Sequence, residues 1–402
     1  MDFCSAFDVT FDRFYRTSSA DHHDGARRIW QICNSRDDIY KKHYTGLYCI
    51  GCESFLQPRE LTGRKCPHHH AEPVAYAEEN YFFRLSKYAG RIMEYVSSNP
   101  DFLKPESKRT ELLNFLKTME DISISRNRSN LPWGIAVPGD PGHTMYVWFD
   151  ALANYILSAG FESEPERFAG FWPGIQLCGP DNLRFQGAIW QGILASLGLP
   201  FTRKLLVHGT ILGPDAQKMS KSLGNVISPL QQFKKFGADY CRFYLLGILH
   251  PYQDCSYREA DLIAACNTHL ANGFGNLVYR LVHLGIKKEI NILDSSKIEA
   301  DFKTFVDQCK TKAEKSYEAF ELHDAVRIIN ELVAYGNKYI HTQEPWKQNL
   351  LDAEITLNNL SYLLRAASKL FMPIIPNGAS RALQSIQKKE KMILYPRITE
   401  NV

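Results

Sequence analysis

The stretch KLLVHGTILGPDAQKMSKSLGN, from Lys204 to Asn225, joins an apolar run to a polar loop that carries two lysines and two serines. Lys218 and Lys221 are flexible point charges, and Gly224 lets the backbone approach a ligand closely. Such a loop suits a mobile clamp on phosphate groups. Since the apolar run before it is typical of a buried strand, the stretch predicts a strand that leads into a phosphate-binding loop.

Strands and helices alternate around this loop. IQLCG at residues 175–179 predicts a strand, residues 182–197 predict a helix, and another helix is predicted at residues 229–236. Strands that alternate with helices are typical of parallel sheets covered by helices. The sequence therefore predicts an α/β fold with a doubly wound, parallel, Rossmann-like sheet.

The sequence after about Ser256 changes to helical periodicity. Long amphipathic stretches lie at residues 258–284, 296–320, 323–341 and 352–371. Several amphipathic helices in succession are typical of a helical bundle. We therefore predict a C-terminal, all-α bundle.

Composition bounds the class of protein. The chain has 402 residues, 45% of them hydrophobic, which is more than a single hydrophobic core usually contains. Its net charge is only +3, so a nucleic acid must be bound by a local basic patch. No apolar run approaches the roughly 20 residues that a membrane span needs. Scattered cysteines without a signal peptide indicate a reducing compartment. We expect a cytoplasmic protein with no membrane association, although an organelle is an alternative.

One short segment has the spacing of a zinc site. YCIGCESFLQPRELTGRKCPHHH places two cysteines on one knuckle, and a cysteine followed by histidines on a second. Two knuckles of paired soft ligands can close a tetrahedral, structural zinc site; ordinary thiols beside surface histidines are the alternative. The predicted ligands are Cys49, Cys52, Cys66 and His69. His68 and His70 are alternatives to His69.

An aromatic segment, MYVWFDALANY at residues 145–155, predicts an apolar wall. Trp148, Ala151 and Tyr155 face one way if a strand turns into a helix here. Read without context, such a segment is more often core packing.

Two strand ends predict a ligand-binding edge. Gly179 and Asp181 lie at a strand-to-helix turn, where a doubly wound sheet binds nucleotides, and His208 and Gly209 end the next strand. A carboxylate at such a turn can accept ribose hydroxyls. Capping of the following helix is the alternative role for Asp181.

Together these motifs resemble the class I aminoacyl-tRNA synthetases. The lysine loop indicates only that class, but YCIGCE, CPHH, EENYFFRLSKY and YVWFDALANY are similar to the methionyl-tRNA synthetase family within it. The resemblance covers the chain from about Phe11 to Trp346. It implies an enzyme that ligates L-methionine to tRNA(Met) with ATP, through methionyl-adenylate, using a structural Zn²⁺ and the Mg²⁺ that accompanies ATP.

The resemblance also assigns roles to residues. For methionine binding it implies Trp148, Ala151, Tyr155, Asn182 and Gln186. For ATP or adenylate binding it implies Gly179, Asp181, His208, Gly209, Lys218, Met219, Ser220, Lys221 and Ser222. As catalytic residues it implies Lys218, Lys221 and Arg126.

The bundle carries a candidate site for single-stranded RNA. Asn276 and Arg280 are four residues apart on one helical face, and Trp346 follows a helix end. Donors that bind base edges, beside an aromatic ring that stacks on a base, suit recognition of an RNA loop. The resemblance implies that these residues read the CAU anticodon, whereas the residues alone would indicate a solvated helix face.

The sequence departs from the family at several positions. It has Pro180 where lysine is usual, Gln186 where many members have histidine, and Leu152 where many have proline. None of the thirteen histidines lies in an H-x-G-H arrangement. Because the family places that signature in the first βαβ unit, we expect an N-terminally truncated sheet.

The resemblance divides the chain into four predicted parts. Residues 1–42 are the remnant of the first half of the nucleotide-binding fold, and residues 43–122 are a connective insertion with the zinc knuckle. Residues 123–255 are the second half of the Rossmann-like catalytic domain. Residues 256–402 are the helical anticodon-binding domain, and no appended dimerisation domain is recognisable after it, which favours a monomer.

Two other functions fit part of this pattern. One is a different class I aminoacyl-tRNA synthetase, for which the zinc knuckle directly before NYFFRL would be unexpected. The other is a non-catalytic, tRNA-binding paralogue or fragment, for which the missing H-x-G-H signature would be expected.

Overall fold

The computed structural model describes residues 2–51, 54–56, 58, 61–67, 71–220 and 224–399. The chain forms two compact units, one comprising residues 12–208 and the other residues 1–11 with 209–402. Each unit has its own hydrophobic core. The finer, four-part division stays a prediction.

The strands are short, apart from one long hairpin. They are β1 (Ile39–Cys49), β2 (Ser54–Leu56), β3 (Val74–Phe83), β4 (Leu103–Lys104), β5 (Ile122–Ser123), β6 (Ser125–Asn127), β7 (Ala136–Val137), β8 (Asp140–Met145), β9 (Ile175–Cys178), β10 (Lys204–Val207), β11 (Ile211–Leu212) and β12 (Cys255–Ser256).

The α-helices cover most of the remaining chain. They are α1 (Asp2–Ala6), α2 (Ala20–Ser35), α3 (Ala89–Ser98), α4 (Glu106–Leu116), α5 (Val147–Leu157), α6 (Pro165–Phe171), α7 (Trp190–Leu197), α8 (Pro229–Phe236), α9 (Ala238–Arg242), α10 (Glu259–Ala265), α11 (Asn276–Lys287), α12 (Ala300–Glu318), α13 (Leu322–Gln343), α14 (Leu350–Phe371) and α15 (Pro376–Lys388). Within the described ranges, none of them is both long and apolar enough to cross a membrane.

A parallel sheet lies in the unit of residues 12–208. Its order is β4-β10-β9, and Leu205 pairs with Leu103 on one side and with Gln176 on the other. The alternation of strand and helix around Lys204 correctly predicted this parallel pairing. The other sheets of this unit, β2-β1-β3-β5 and β6-β8-β7, are antiparallel, so its sheets are mixed.

The helix predicted at residues 182–197 is irregular. A 3₁₀ turn at Pro180–Asn182 is followed by a π-helical segment at Phe185–Ile189 and only then by α7. Helical periodicity in the sequence does not distinguish a π-turn from an α-turn, because one extra residue shifts the pattern only locally.

The C-terminal part of the other unit is helical, as predicted. Helix α14 is its central helix and contacts α11, α12, α13 and α15. Most of α14 is buried, and its start is fixed by Asn349, whose side chain accepts the N–H of Asp352. The predicted helix at residues 258–284 is divided into α10, a π-helical segment at Cys266–Gly275, and α11.

A buried carboxylate anchors the start of β1. Asp38 is fully buried and accepts hydrogen bonds from Lys87 Nζ at 2.6 Å, Tyr88 Oη at 2.5 Å and Ser196 Oγ at 2.8 Å. Burial acts to raise the pKa of Asp38, but these three donors outweigh burial and the pKa is lowered. The charged carboxylate therefore ties β1 to α7 and to the 3₁₀ turn at Leu85–Tyr88.

We predict that Asp38→Asn destabilises the unit of residues 12–208 by about 2 kcal/mol near neutral pH, because it removes charge-assisted hydrogen bonds. A carboxylate whose folded pKa is lowered stabilises the fold above its unfolded pKa of about 4, and this contribution is lost as pH falls through the folded pKa. The difference between wild type and variant should therefore shrink below about pH 4. Urea unfolding across pH measures this, with the exposed Asp24→Asn as control; a difference that does not depend on pH would contradict the prediction.

Candidate functional site

The predicted apolar wall lies on one face of α5. Trp148, Ala151 and Tyr155 are half-buried on this face, whereas the residues between them include the buried core side chains Phe149 and Leu152. The departure at Leu152 therefore lies on the core face of the helix and not on the wall.

An aromatic stack extends this wall. The ring of Phe185, in the π-helical segment, lies parallel to that of Trp148, with centroids 4.0 Å apart and an interplanar angle of 18°. Phe185 was not predicted from the sequence as a wall residue. Its position directly before Gln186 was the available signal.

A hydrogen bond joins the wall to the next residue of the π-helical segment. Gln186 is 4% exposed, and its Nε2 donates to the Tyr155 hydroxyl at 2.5 Å. Burial raises the pKa of Tyr155, so its phenol keeps its proton. Because Gln186 donates into the phenolic oxygen, the O–H of Tyr155 can still donate to a ligand.

Two buried polar atoms at this wall have no partner among the described residues. They are Oε1 of Gln186 and Nε1 of Trp190, whose ring centroid lies 6.1 Å from that of Tyr155. Asn182 lies half-buried nearby in sequence, in the 3₁₀ turn, where its N–H donates to the carbonyl of Gly179. Trp190 was missed in the sequence, although it is one helical turn after Gln186.

Two of the residues predicted at a common strand edge do lie together. His208 follows β10, its N–H donates to the carbonyl of Cys178 at 3.0 Å, and a Cβ on Gly179 would lie 3.7 Å from the His208 ring. His208 is exposed, as is Asp181. Asp181 lies inside the 3₁₀ turn, whose cap position is taken by Gly179.

Gly209 makes a close backbone contact within the unit that contains residues 209–402. Its N–H donates to the carbonyl of Pro251 at 2.9 Å, and a Cβ here would lie 2.0 Å from the carbonyl oxygen of Gln253. No side chain fits in that space. Glycine is therefore required at residue 209 for packing, whatever its role toward ATP.

The lysine loop is organised by the side chain of Asn225. Its Oδ1 accepts the N–H of Ser220 at 2.8 Å, and its Nδ2 donates to the carbonyl of Lys218 at 3.4 Å. The sulfur of Met219 accepts the N–H of Ile227 at 3.4 Å. The asparagine thus bridges the loop where the predicted phosphate contacts begin; Lys221 and Ser222 lie outside the described residues.

Arg126 is buried in the antiparallel part of its unit. It is 8% exposed, and its Nη1 donates to Ser123 Oγ at 2.9 Å and to the carbonyl of Ser125 at 2.7 Å. Its guanidinium carbon lies 4.7 Å from the ring centroid of Tyr146 and 5.1 Å from that of Tyr48. Arg126, in β6, therefore contacts the end of β1 through Tyr48, the residue directly before Cys49.

The two described cysteines of the zinc motif are both buried. Cys49 ends β1, and Cys66 follows a tight turn in which Thr62 pairs with Lys65. Cys49 thus directly precedes the connection to β2, where it pairs with Ser54, and Cys66 directly follows a tight turn, so both lie beside turns as knuckle ligands do. Cys52, His69 and the alternatives His68 and His70 lie outside the described residues.

The bundle brings two of the three predicted RNA-contacting residues together. The guanidinium carbon of Arg280, on α11, lies 5.9 Å from the ring centroid of Trp346, and Trp346 is 40% exposed. Burial lowers the pKa of Arg280. Arg280 is half-buried and so does not lie on a fully solvated helix face, whereas Asn276, one turn earlier on α11, is exposed.

Comparison with known proteins agrees with this arrangement. The family model for class I tRNA synthetases (M) matches residues 1–74 and 69–282, and that for the anticodon-binding domain of tRNA ligase matches residues 302–401. A methionine--tRNA ligase of Nostoc sp. is 37% identical over 399 residues, which are 94% of this chain and 74% of the relative. The chain belongs to the methionyl-tRNA synthetase family.

Solved structures of methionyl-tRNA synthetases have the same fold. The Mycobacterium tuberculosis methionyl-tRNA synthetase bound by methionyl-adenylate has a TM-score of 0.86 and 31% identity, over 94% of this chain and 78% of that one. A second structure of that enzyme with methionyl-adenylate has a TM-score of 0.87 and 29% identity, over 100% of this chain and 84% of that one.

Members of the methionyl-tRNA synthetase family differ in length. A methionine--tRNA ligase of Fusobacterium nucleatum is 37% identical over 392 residues, which are 94% of this chain but 61% of the relative. The chain therefore spans less than two thirds of that protein.

Proposed function

We propose that the chain carries out ATP-dependent ligation of L-methionine to tRNA(Met), through methionyl-adenylate. The observation that carries this proposal is the wall in which Trp148 stacks on Phe185 beside the Tyr155 hydroxyl. The Mycobacterium tuberculosis relative bound by methionyl-adenylate supports it.

The chemistry of the wall suits methionine. The methionine side chain is unbranched, apolar and polarisable, and makes favourable contacts with aromatic rings. Its sulfur is a weak hydrogen-bond acceptor, which matches the available O–H of Tyr155. We assign the binding of the methionine side chain to Trp148, Ala151, Tyr155 and Gln186, with Asn182 nearby in sequence.

ATP activation requires charge stabilisation more than acid–base catalysis. The methionine carboxylate attacks the α-phosphate and pyrophosphate leaves, so cations that meet the developing charge lower the barrier. We assign this to Lys218 and Lys221, with Mg²⁺ bound to ATP. The remaining proposed adenylate contacts are Gly179, Asp181, His208, Gly209, Met219, Ser220 and Ser222. Arg126, which lies beside Tyr48 and Tyr146, is the third residue to which we assign a catalytic role.

We assign anticodon recognition to Asn276, Arg280 and Trp346. A tryptophan that is 40% exposed beside a guanidinium offers a platform on which an unstacked base can stack. The exposed amide of Asn276 can bind a base edge.

We also propose a structural zinc ion. Cys49 and Cys66 are 2% and 0% exposed, and each lies beside a turn, Cys49 before the connection from β1 to β2 and Cys66 after the turn of Thr62 and Lys65, which fits the thiolate donors of a zinc knuckle. With Cys52 and His69 the donor set would be complete, and such a site leaves no open position for catalysis. Monomeric state and cytoplasmic location stay predictions.

One observation favours a second candidate function. None of the thirteen histidines lies in an H-x-G-H arrangement, which is the family signature for adenylation. A non-catalytic protein that binds tRNA through the bundle would share every feature of the anticodon site. Adenylation and RNA binding must therefore be measured separately.

We predict methionine-dependent ATP–pyrophosphate exchange by this chain, and a rate lower by about a hundredfold in Lys221→Ala. Removing a cation that meets transition-state charge costs about 3 kcal/mol, whereas methionine binding should be nearly unchanged. Lys310→Ala, in α12, is the control. Loss of methionine affinity with an intact rate would contradict the role of Lys221. Absence of exchange in the wild type, with specific RNA binding retained, would favour the second candidate.

We predict that the chain binds a stem-loop with a CAU anticodon more tightly than one with an altered anticodon. Since base stacking on an aromatic ring contributes about 1 to 3 kcal/mol, Trp346→Ala should weaken binding roughly ten- to a hundredfold. Trp133→Ala, which removes a tryptophan that is 70% exposed in the other unit, is the matched control. Equal affinity of the wild type for both RNAs would refute anticodon recognition.

We predict one tightly bound zinc ion per natively purified chain. Cys52→Ser should abolish zinc binding, because a tetrahedral site loses one of its four donors. Cys309→Ser, which changes a half-buried cysteine of α12, should retain the metal. Elemental analysis decides; a metal-free wild type, or a Cys52→Ser variant that keeps zinc, would refute the assignment.

A further inference from the structure

A chain of buried polar side chains lies behind the wall residues. Gln191, in α7, is fully buried, and its Nε2 donates both to the carbonyl of Gln186 at 2.8 Å and to Thr202 Oγ1 at 3.0 Å. Its Oε1 accepts the N–H of Thr202 at 3.0 Å. Thr202 in turn donates through its hydroxyl to Gln176 Oε1, on β9, at 2.5 Å.

The backbone shape explains why this side chain contacts Gln186. In the π-helical segment the N–H of Trp190 donates to the carbonyl of Phe185, five residues earlier. Gln191 is likewise five residues after Gln186, and its side-chain amide bonds to that residue's carbonyl. The amide therefore fastens the irregular turn from inside. Single π-turns are costly to hold and occur frequently at functional sites.

The fastened turn presents two consecutive side chains to the wall. Phe185 stacks on Trp148, and Gln186 donates to Tyr155. Gln191 itself touches neither α5 residue through any described hydrogen bond. Its influence on the wall must therefore pass through the position of Gln186.

We propose that Gln191 is a positioning residue for the side-chain pocket: by holding the carbonyl of Gln186, it keeps the Gln186 amide on Tyr155 and so aims the Tyr155 O–H at the ligand's sulfur. The inference rests on the proposed binding of methionine. Its consequence is selectivity: losing Gln191 should weaken the binding of a thioether more than that of an all-carbon side chain of the same shape. Norleucine is that side chain, since a methylene replaces the sulfur.

The main variant is Gln191→Met, which conserves volume and removes both hydrogen-bonding functions. The matched control is Ser196→Ala, on the same helix, which deletes a buried hydrogen bond to Asp38 without contacting Gln186. Calorimetric titration with L-methionine and with L-norleucine gives two dissociation constants for each full-length protein, and urea unfolding gives its stability.

We expect Gln191→Met to weaken L-methionine binding by about tenfold, the size of one well-placed hydrogen bond, and L-norleucine binding by less than about twofold. Ser196→Ala should lower stability but leave both dissociation constants within about twofold. A purely structural role for Gln191 predicts instead that Gln191→Met loses the same affinity for both ligands, or that Ser196→Ala changes the two dissociation constants as much as Gln191→Met does. Either result would overturn the proposal.

A double-mutant cycle tests the route through Gln186. In a Gln186→Leu background, Gln191→Met should have no further effect on the preference for methionine, because the side chain that it positions is gone. An unchanged effect in that background would overturn the route. If Gln191→Met does not fold, Gln191→Glu is used in its place. At low pH, where the introduced carboxylic acid is protonated, this variant should retain the preference for L-methionine over L-norleucine. At higher pH, where the acid is ionised, the preference should be lost.

The outcomes separate this inference from the proposed function. A wild type that binds no L-methionine refutes both. A wild type that prefers L-methionine to L-norleucine, together with a Gln191→Met variant of the same preference, supports the proposed function and overturns only the role of Gln191.

Discussion

Parallel pairing between β9 and β10 is the constraint on which the candidate site of residues 12–208 depends. Val207 pairs with Cys178, so both strands end at the same edge, and the residues that follow them meet there. This places Gly179 beside His208 and starts the 3₁₀ turn that carries Asp181. The π-helical segment follows directly, so the position of the aromatic wall also depends on where β9 ends.

Sequence patterns predicted the elements better than the contacts between them. Alternating strands and helices indicated the parallel pairing at Lys204, and the spacing of Trp148, Ala151 and Tyr155 indicated their common helix face. The sequence did not indicate that Phe185 would stack on that face. Helix α5 and the π-helical segment are distant in sequence and come together only in the folded chain. The π-turn was missed for a different reason: no residue type specifies it, and its stability depends on tertiary partners.

Buried polar groups are the other feature that periodicity does not predict. Asp38 and Gln191 are charged or polar residues that are fully buried, and each makes several hydrogen bonds. A buried polar group is stable only when it is satisfied, so each fixes the neighbouring elements within a narrow range of positions. For Gly209, the reason for glycine lies more than forty residues away, at the carbonyl of Gln253, which local sequence does not reveal.

The stack of Trp148 on Phe185 also has a consequence for the kinetics of ligand entry. A centroid separation of 4.0 Å leaves no space for another group between the rings, so they form a continuous surface and not a slot. A ligand that needs that space must wait for the rings to separate, which costs about 0.5 to 1.5 kcal/mol of aromatic interaction. Only the molecules whose rings are separated could then bind such a ligand, and the observed association rate would fall in proportion to their fraction.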